Sequence, residues 1–200
     1  MLKRPFFERD PLSCARELIG CRLKWGTLSG IVVETEAYDV EGDEACHTFS
    51  RPSARLFVSR HDPGVAYVYF SYGVHWMLNV LVKGKRLGFV LIRALEPIEG
   101  IDQMKRARGT QDLQQLCSGP GKLAMALGVT GGHHGRDLCA DQAFSFSAGR
   151  KVQEVEASPR VGISRAVELP WRFYAAGNPH VSRLSFVRAG RNGILPGPRN

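Results

Sequence analysis

The chain has 200 residues, 44% of them hydrophobic and 23% charged, and a net charge of +8; this is enough for one domain with its own core and excludes disordered, collagen-like and coiled-coil classes. No apolar run approaches the ~18 residues that a membrane-spanning helix requires, because the apolar stretches are interrupted at His75, Asn79 and Arg93. Arginine makes up most of the 27 cations, and the positive excess lies beyond residue 60, so a polyanionic partner is the first expectation beside plain solubility. The N-terminus is basic but meets Glu8 and Asp10 before any apolar run long enough for a signal peptide, which predicts an unprocessed, cytoplasmic protein with no membrane partner. Asp10 and Pro11 read as an N-cap and a first helical proline, and Leu12, Ala15, Leu18 and Ile19 recur at helical spacing up to Gly20.

From Gly30 to Tyr38 a β-branched run with period-two alternation predicts a strand, with Glu34, Glu36 and Tyr38 on one face. Further strands are predicted over Val65 to Phe70, Trp76 to Val82 and Gly88 to Leu95. They are joined by turns at Ser71-Tyr72-Gly73 and Lys83-Gly84-Lys85, which suggests antiparallel pairing. Helical spacing returns over Ile98 to Arg106, and again from Ser118 as N-cap through Pro120 and Leu123 to Gly128. Short strands are expected at Ala143 to Phe146, Val161 to Ser164 and Trp171 to Tyr174. Runs of strands with helices between them give an α+β class. No repeat or low-complexity linker divides residues 1–200, so one domain is expected, with 191–200 as a frayed tail.

Five cysteines form no CxxC pair and are odd in number, which argues against a disulfide framework or a tetrahedral zinc site and for reduced thiols. Cys46 and His47 are adjacent rather than spaced as metal ligands, and neither a metal nor a cofactor is expected.

Three groups of residues could carry chemistry. Glu34, Glu36, Asp39, Glu41, Asp43 and Glu44 crowd one short stretch without a compensating cation. Composition alone reads this as a solvated strand end, but Glu36 sits mid-strand between apolar or small neighbours, where an ionised side chain is costly unless it lines a cleft; there it could serve as a general base. In Tyr67-Val68-Tyr69-Phe70-Ser71-Tyr72-Gly73, Gly73 permits a turn that lets Tyr72 project from a tip. An aromatic at a tip can wedge into a base stack, and one in a pocket can stack on an extruded base, although strand tyrosines are also ordinary packing. In Ser118-Gly119-Pro120-Gly121-Lys122 a helix start, two glycines and a lysine converge, which suits either a phosphate seat or a plain capped helix.

The strings Val33-Glu34-Thr35-Glu36-Ala37-Tyr38, Asp43-Glu44-Ala45-Cys46-His47, Tyr67-Val68-Tyr69-Phe70-Ser71-Tyr72-Gly73, Leu91-Ile92-Arg93-Ala94-Leu95-Glu96-Pro97 and Cys117-Ser118-Gly119-Pro120-Gly121-Lys122-Leu123 occur in this order. In order and spacing they resemble the alkyladenine DNA glycosylase family, also called 3-methyladenine DNA glycosylases. Ser158 to Ile163 and Trp171 to Tyr174 look like its later segments. The resemblance implies a compact domain with a curved antiparallel sheet, double-stranded DNA containing damaged purines as partner, a monomer, and base excision repair as the process. It further implies that Glu36 is the general base for the water that attacks the sugar, and that Arg93 lies near that water and the phosphate. By the same resemblance Tyr38 and Tyr69 sandwich the flipped base, His47 hydrogen-bonds near it, Asn79 helps to reject guanine's amino group, Val161 positions the water, and Tyr72 is the wedge. Ser118 and Lys122 remain the candidates for the DNA backbone.

The departures lie in the loop from His47 to Phe57, which is short and leaves Arg51 or Arg55 to grip DNA, and at Val74 and His75 after the wedge. Two rivals stand beside hydrolysis of an N-glycosidic bond. A noncatalytic damage-binding protein would have no need of Glu36, and a carbohydrate hydrolase using Glu34 with Glu36 would leave the basic surface and wedge unexplained. Neutral lesions such as deaminated purines need a protonated leaving base, a harder demand than a cationic alkylpurine makes.

Overall fold

The computed structural model describes residues 1–182, so the tail read at 191–200 lies outside the described residues. A single turn α1 (Arg4–Phe7) leads into α2 (Pro11–Leu18). Asp10 precedes α2 as expected, but its carboxylate makes no capping bond and accepts instead from the Arg86 amide at 3.1 Å. Strands β1 (Arg22–Trp25) and β2 (Leu28–Asp39) follow, then the short helices α3 (His47–Ser50) and α4 (Pro52–Arg60) where sequence suggested a loop. Strands β3 (Ala66–Ser71), β4 (His75–Lys83) and β5 (Leu87–Glu99) form the expected antiparallel meander.

Helix α5 (Ile101–Arg108) begins later than the Ile98 to Arg106 expectation, because Ile98 still belongs to β5 and Gly100, at φ 73°, turns the chain into the helix. Helix α6 (Pro120–Leu127) is N-capped by Gly119 rather than Ser118; Ser118 is held extended by a bridge to Ala94, and its buried hydroxyl has no partner among the described residues. Strands β6 (Phe144–Ser147), β7 (Val155–Ser158) and β8 (Arg172–Ala175) complete the order. The strand expected at Val161 to Ser164 is absent: that segment is a loop, turned by Gly162 at φ 77°, and the strand lies earlier, at β7.

All pairings are antiparallel in one eight-stranded sheet of order β3-β4-β5-β2-β1-β6, with β8 beside β2 and β7 beyond it. The sheet is curled and the helices pack around it in an α+β arrangement. Strand β2 is bordered on both edges: β5 runs along it from Ser29 to Asp39, while β1 pairs with Leu28 to Ile31 and β8 with Glu34 to Glu36.

Period-two alternation sorts the sheet into two faces. Ala66, Val68, Leu78, Val80, Val82, Val90, Ile92 and Ala94 enter the main core, against α2 and α6, with Met104 joining the same core from α5, which packs on α6. The intervening Tyr67, Leu81 and Phe89 join Cys46, Ala54, Phe57 and Val58 in a smaller cluster under α3 and α4. Tyr69, Met77, Asn79, Leu91 and Arg93 share this second face, which is open enough to hold a cavity.

Candidate active site

Register along β2 and β5 is interrupted where the charged residues lie. Val32 pairs with Leu95, Glu34 with Ala94 and Thr35 with Ile92, so Val33 and Arg93 are each skipped. Such irregularities re-aim side chains, and here Arg93 reaches both acids on the facing strand. Its Nε donates to Glu34 Oε1 at 2.7 Å and its Nη1 lies 3.1 Å from Glu36 Oε1.

Glu34 is fully buried and saturated. Oε1 also accepts from Arg172 Nε at 2.6 Å and from the Ser182 hydroxyl at 2.8 Å, and Oε2 accepts from the Ser182 amide at 2.7 Å. Burial works to raise its pKa, but Arg93 and Arg172 outweigh burial and hold the carboxyl below its ordinary range. Glu36 is equally buried, pairs with Arg93, and accepts two hydrogen bonds: from the Tyr38 hydroxyl at 2.7 Å to Oε2 and from the Val161 amide at 2.7 Å to Oε1. Its carboxylate stands one contact behind the cavity, since Arg93, Tyr38 and Val161 line the wall and Glu36 does not.

The cavity measures about 540 Å³, in the range of small-molecule sites. Tyr38, Tyr67, Tyr69, His47, Asn79 and Leu91 form its walls, Pro120 at the start of α6 and the 161–165 loop its rim. Burial, and then the neighbouring Glu36 charge, push the Tyr38 hydroxyl well above its usual range, and burial pushes Tyr69 up to about 12. His47 stands at the start of α3 with Nδ1 3.1 Å from the Tyr67 hydroxyl and its ring edge-on to Tyr69, 4.1 Å between centroids. Burial, with Arg51 close by, lowers its pKa to about 4, so the imidazole is neutral at physiological pH. Asn79 is buried and donates from Nδ2 to the Tyr67 carbonyl at 3.1 Å. At the mouth, Tyr72 is 93% exposed on the β3–β4 turn. It and Gly73 both have positive φ, 49° and 67°, as the central pair of a turn closed by the Val74 amide donating to the Ser71 carbonyl at 3.0 Å.

The family model described as methylpurine-DNA glycosylase matches residues 5–179 of this chain. The chain belongs to the methylpurine-DNA glycosylase family. Bacterial relatives bearing the provisional name 3-methyladenine DNA glycosylase include one from Rhodopseudomonas palustris strain BisB18, 47% identical and covering 91% of this chain and 90% of its own. A second, from Agrobacterium fabrum, is 45% identical over 89% of this chain and 90% of its own length, and a third, from Chlorobaculum parvum, is 41% identical over 88% of each.

Of the residues that sequence singled out in this methylpurine-DNA glycosylase family member, Glu36, Arg93, Tyr38, His47, Tyr69, Asn79, Val161 and Tyr72 converge on one cavity or the shell directly behind it. Ser118 and Lys122 sit at the start of α6, beyond the rim; Lys122 Nζ donates to Gln115 and Ser118 is buried. Between the two loop arginines, Arg51 lines the cavity 5.7 Å from the Tyr69 ring, while Arg55 is tied to the Thr48 and Phe49 carbonyls.

The acidic cluster is no solvated strand end: Glu34, Glu36, Asp39 and Asp43 are buried, and only Glu41 and Glu44 are exposed. Its cations come from elsewhere in the chain, Arg86 to Asp39, Arg160 to Asp43, and Arg93 and Arg172 to Glu34. Arg160, Arg172, Ser182 and Tyr67 carried no assigned role in the sequence. The usable signal was the acidic excess itself, because buried carboxylates demand buried partners.

Proposed function

We propose that the protein is a monofunctional DNA glycosylase that flips alkylated purines out of double-stranded DNA and hydrolyses the N-glycosidic bond, leaving an abasic site. The observation that carries this reading is the Glu36 carboxylate, fully buried, oriented by two hydrogen bonds and the Arg93 ion pair directly behind an aromatic cavity. The names of the relatives point to the same class.

In this reading Tyr38 and Tyr69 stack on the extruded base, and a cationic alkylpurine gains from both ring faces. Asn79 at the cavity wall bears on which purine edge fits, and His47, neutral and with Nδ1 engaged by Tyr67, offers its other nitrogen to the base. The carbon–nitrogen bond to the sugar breaks with its electron pair passing to the cationic purine, which departs neutral. Water adds to the sugar carbon and its proton goes to Glu36, with Val161 beside the carboxylate to hold that water and Arg93 to balance the charge. Access of water to Glu36 requires the Tyr38 or Val161 contact to give way, since both stand between the carboxylate and the cavity.

Tyr72 fills the gap left in the stack. Arg51, at the cavity mouth, and Lys122, at the start of α6, face the backbone, whereas the buried Ser118 hydroxyl presents nothing to a phosphate. The protein acts as a monomer. A deaminated purine leaves only with an added proton and is released more slowly than a methylated one.

Incubating the protein with methylated duplex and separating the released bases by chromatography tests the reading. The expected result is free methylpurine with intact strands, a loss of ~100-fold or more in Glu36→Gln, and damaged-duplex binding retained in that variant. Tight binding without release by the unaltered protein would establish the noncatalytic damage-binding alternative instead.

A further inference from the structure

We propose that Arg160, clamped by Asp43, is a positioning residue for base release, fixing from behind the two groups that enclose the Glu36 carboxylate. The inference rests on the glycosylase reading above and extends it to residues that do not touch the cavity.

The guanidinium meets Asp43 as a two-pronged pair, Nη1 to Oδ2 at 2.6 Å and Nη2 to Oδ1 at 2.8 Å, with neither side chain exposed. Nη1 also donates to the Ala37 carbonyl at 3.0 Å. The Arg160 guanidinium carbon lies 4.6 Å from the Tyr38 ring centroid and 5.1 Å from that of Trp171. The cation thus lies over one face of the Tyr38 ring, and Arg160 itself does not line the cavity that Tyr38 lines. The next residue along the chain is Val161, whose amide holds Glu36 Oε1. One side chain therefore fixes both Tyr38, the donor to Oε2, and Val161, the donor to Oε1.

Stability alone does not account for such a pair, since desolvating two charges costs about as much as their attraction returns, and apolar replacements are often neutral or better. Arg160 even keeps a buried Nε with no partner among the described residues. The loop it anchors is strained: Ala166, whose carbonyl lies 3.4 Å from Arg160 Nη2, has φ 48°, and it and Tyr72 are the only non-glycine residues with positive φ among the described ones. Strain of this kind persists where the surroundings enforce it. Asp43 in turn accepts from the Asp39 and Ala45 amides, which ties the clamp to the end of β2.

The test uses Arg160→Lys, which keeps the charge and loses the fork, and Asp43→Asn, which keeps the shape and loses the charge. For each, single-turnover release of a methylated purine at saturating protein is compared with affinity for a duplex bearing an abasic site, which needs no base against Tyr38. The expected result is a ten- to hundredfold loss of release with affinity changed less than threefold, and no further loss in the double variant. Release and affinity falling together, or release unchanged in folded variants, would overturn the proposal and leave the pair a plain brace. Should Arg160→Lys fail to fold, Asp43→Asn carries the same comparison. Absence of base release by the unaltered protein would remove the glycosylase reading itself, and this inference with it.

Discussion

The Tyr38 hydroxyl donates to Glu36 Oε2 at 2.7 Å although the two residues are only two positions apart on one strand. The same side chain thus supplies an aromatic wall and a hydrogen bond that aims the carboxylate. Tyr38→Phe separates these duties: stacking stays, so affinity for a flipped base is expected to hold, while the release rate falls by roughly ten- to a hundredfold, the worth of one hydrogen bond to a charged group. Tyr38→Ala loses both, with a further ~1 to 3 kcal/mol in binding. Parallel titrations and single-turnover rates on one lesion distinguish them, and equal affinity losses for the two variants would show that the ring carries no stacking role.

Tyr72 stands on a turn that strains it and exposes it. Tyr72→Gly is expected to stabilise the hairpin by several tenths of a kcal/mol to about 1, because glycine adopts positive φ without penalty. The same change should slow excision strongly from matched duplex and weakly from a mismatch or a single strand, where extrusion costs little. Thermal melts and release rates on the three substrates read both effects. Equal slowing in every context would make Tyr72 a pocket residue and not a wedge.

Arg93 balances two buried carboxylates. Arg93→Met leaves Glu36 buried without a cation and is expected to cost about 3 to 5 kcal/mol, the usual penalty for stranding a buried charge. Adding Glu36→Gln should recover part of that loss. A double-mutant cycle on unfolding midpoints measures the coupling; strictly additive losses would mean that Arg93 answers chiefly to Glu34.

His47 gives a pH dependence of definite sign. Its folded pKa is about 4 against an ordinary 6.5, so between these values the unfolded chain takes up a proton that the folded protein refuses. Stability is therefore full above pH ~6.5 and declines as pH falls toward ~4. After allowance for the partly exposed ring, the loss is roughly 1 to 2 kcal/mol. The difference in denaturant midpoint between the protein and His47→Gln should narrow across that window; a constant difference from pH 7 to 4 would refute a buried neutral imidazole.

Much of this site could be read from the sequence because it lies on strands whose alternation is visible. Glu34, Glu36 and Tyr38 do share a face, and Tyr69, Asn79 and Arg93 fall on the matching face of the neighbouring strands. The Ser71 to Gly73 turn was legible for the same local reason, although the strained φ of Tyr72 itself was not. What stayed hidden was long-range. Arg160 and Asp43 are separated by 117 positions and Arg172 and Glu34 by 138, and no local pattern assigns a cation to a carboxylate across such distances. Ser118 as a helix cap failed because the bridge to Ala94 competes for it, and the 161–164 strand failed because Arg160 and Gly162 turn that segment across the cavity.

The two-sided pairing of β2 bears on how the site opens. Exposing the backbone of Glu34 to Glu36 to solvent means parting ladders with both β5 and β8, an event close to global unfolding. Amide protons there should exchange with deuterium among the slowest in the protein. The Val161 amide belongs to no ladder and hangs on one side-chain oxygen, so it should exchange by local opening, orders of magnitude faster. Deuterium exchange would thus separate a stationary carboxylate from the single loop contact that Val161 makes with it.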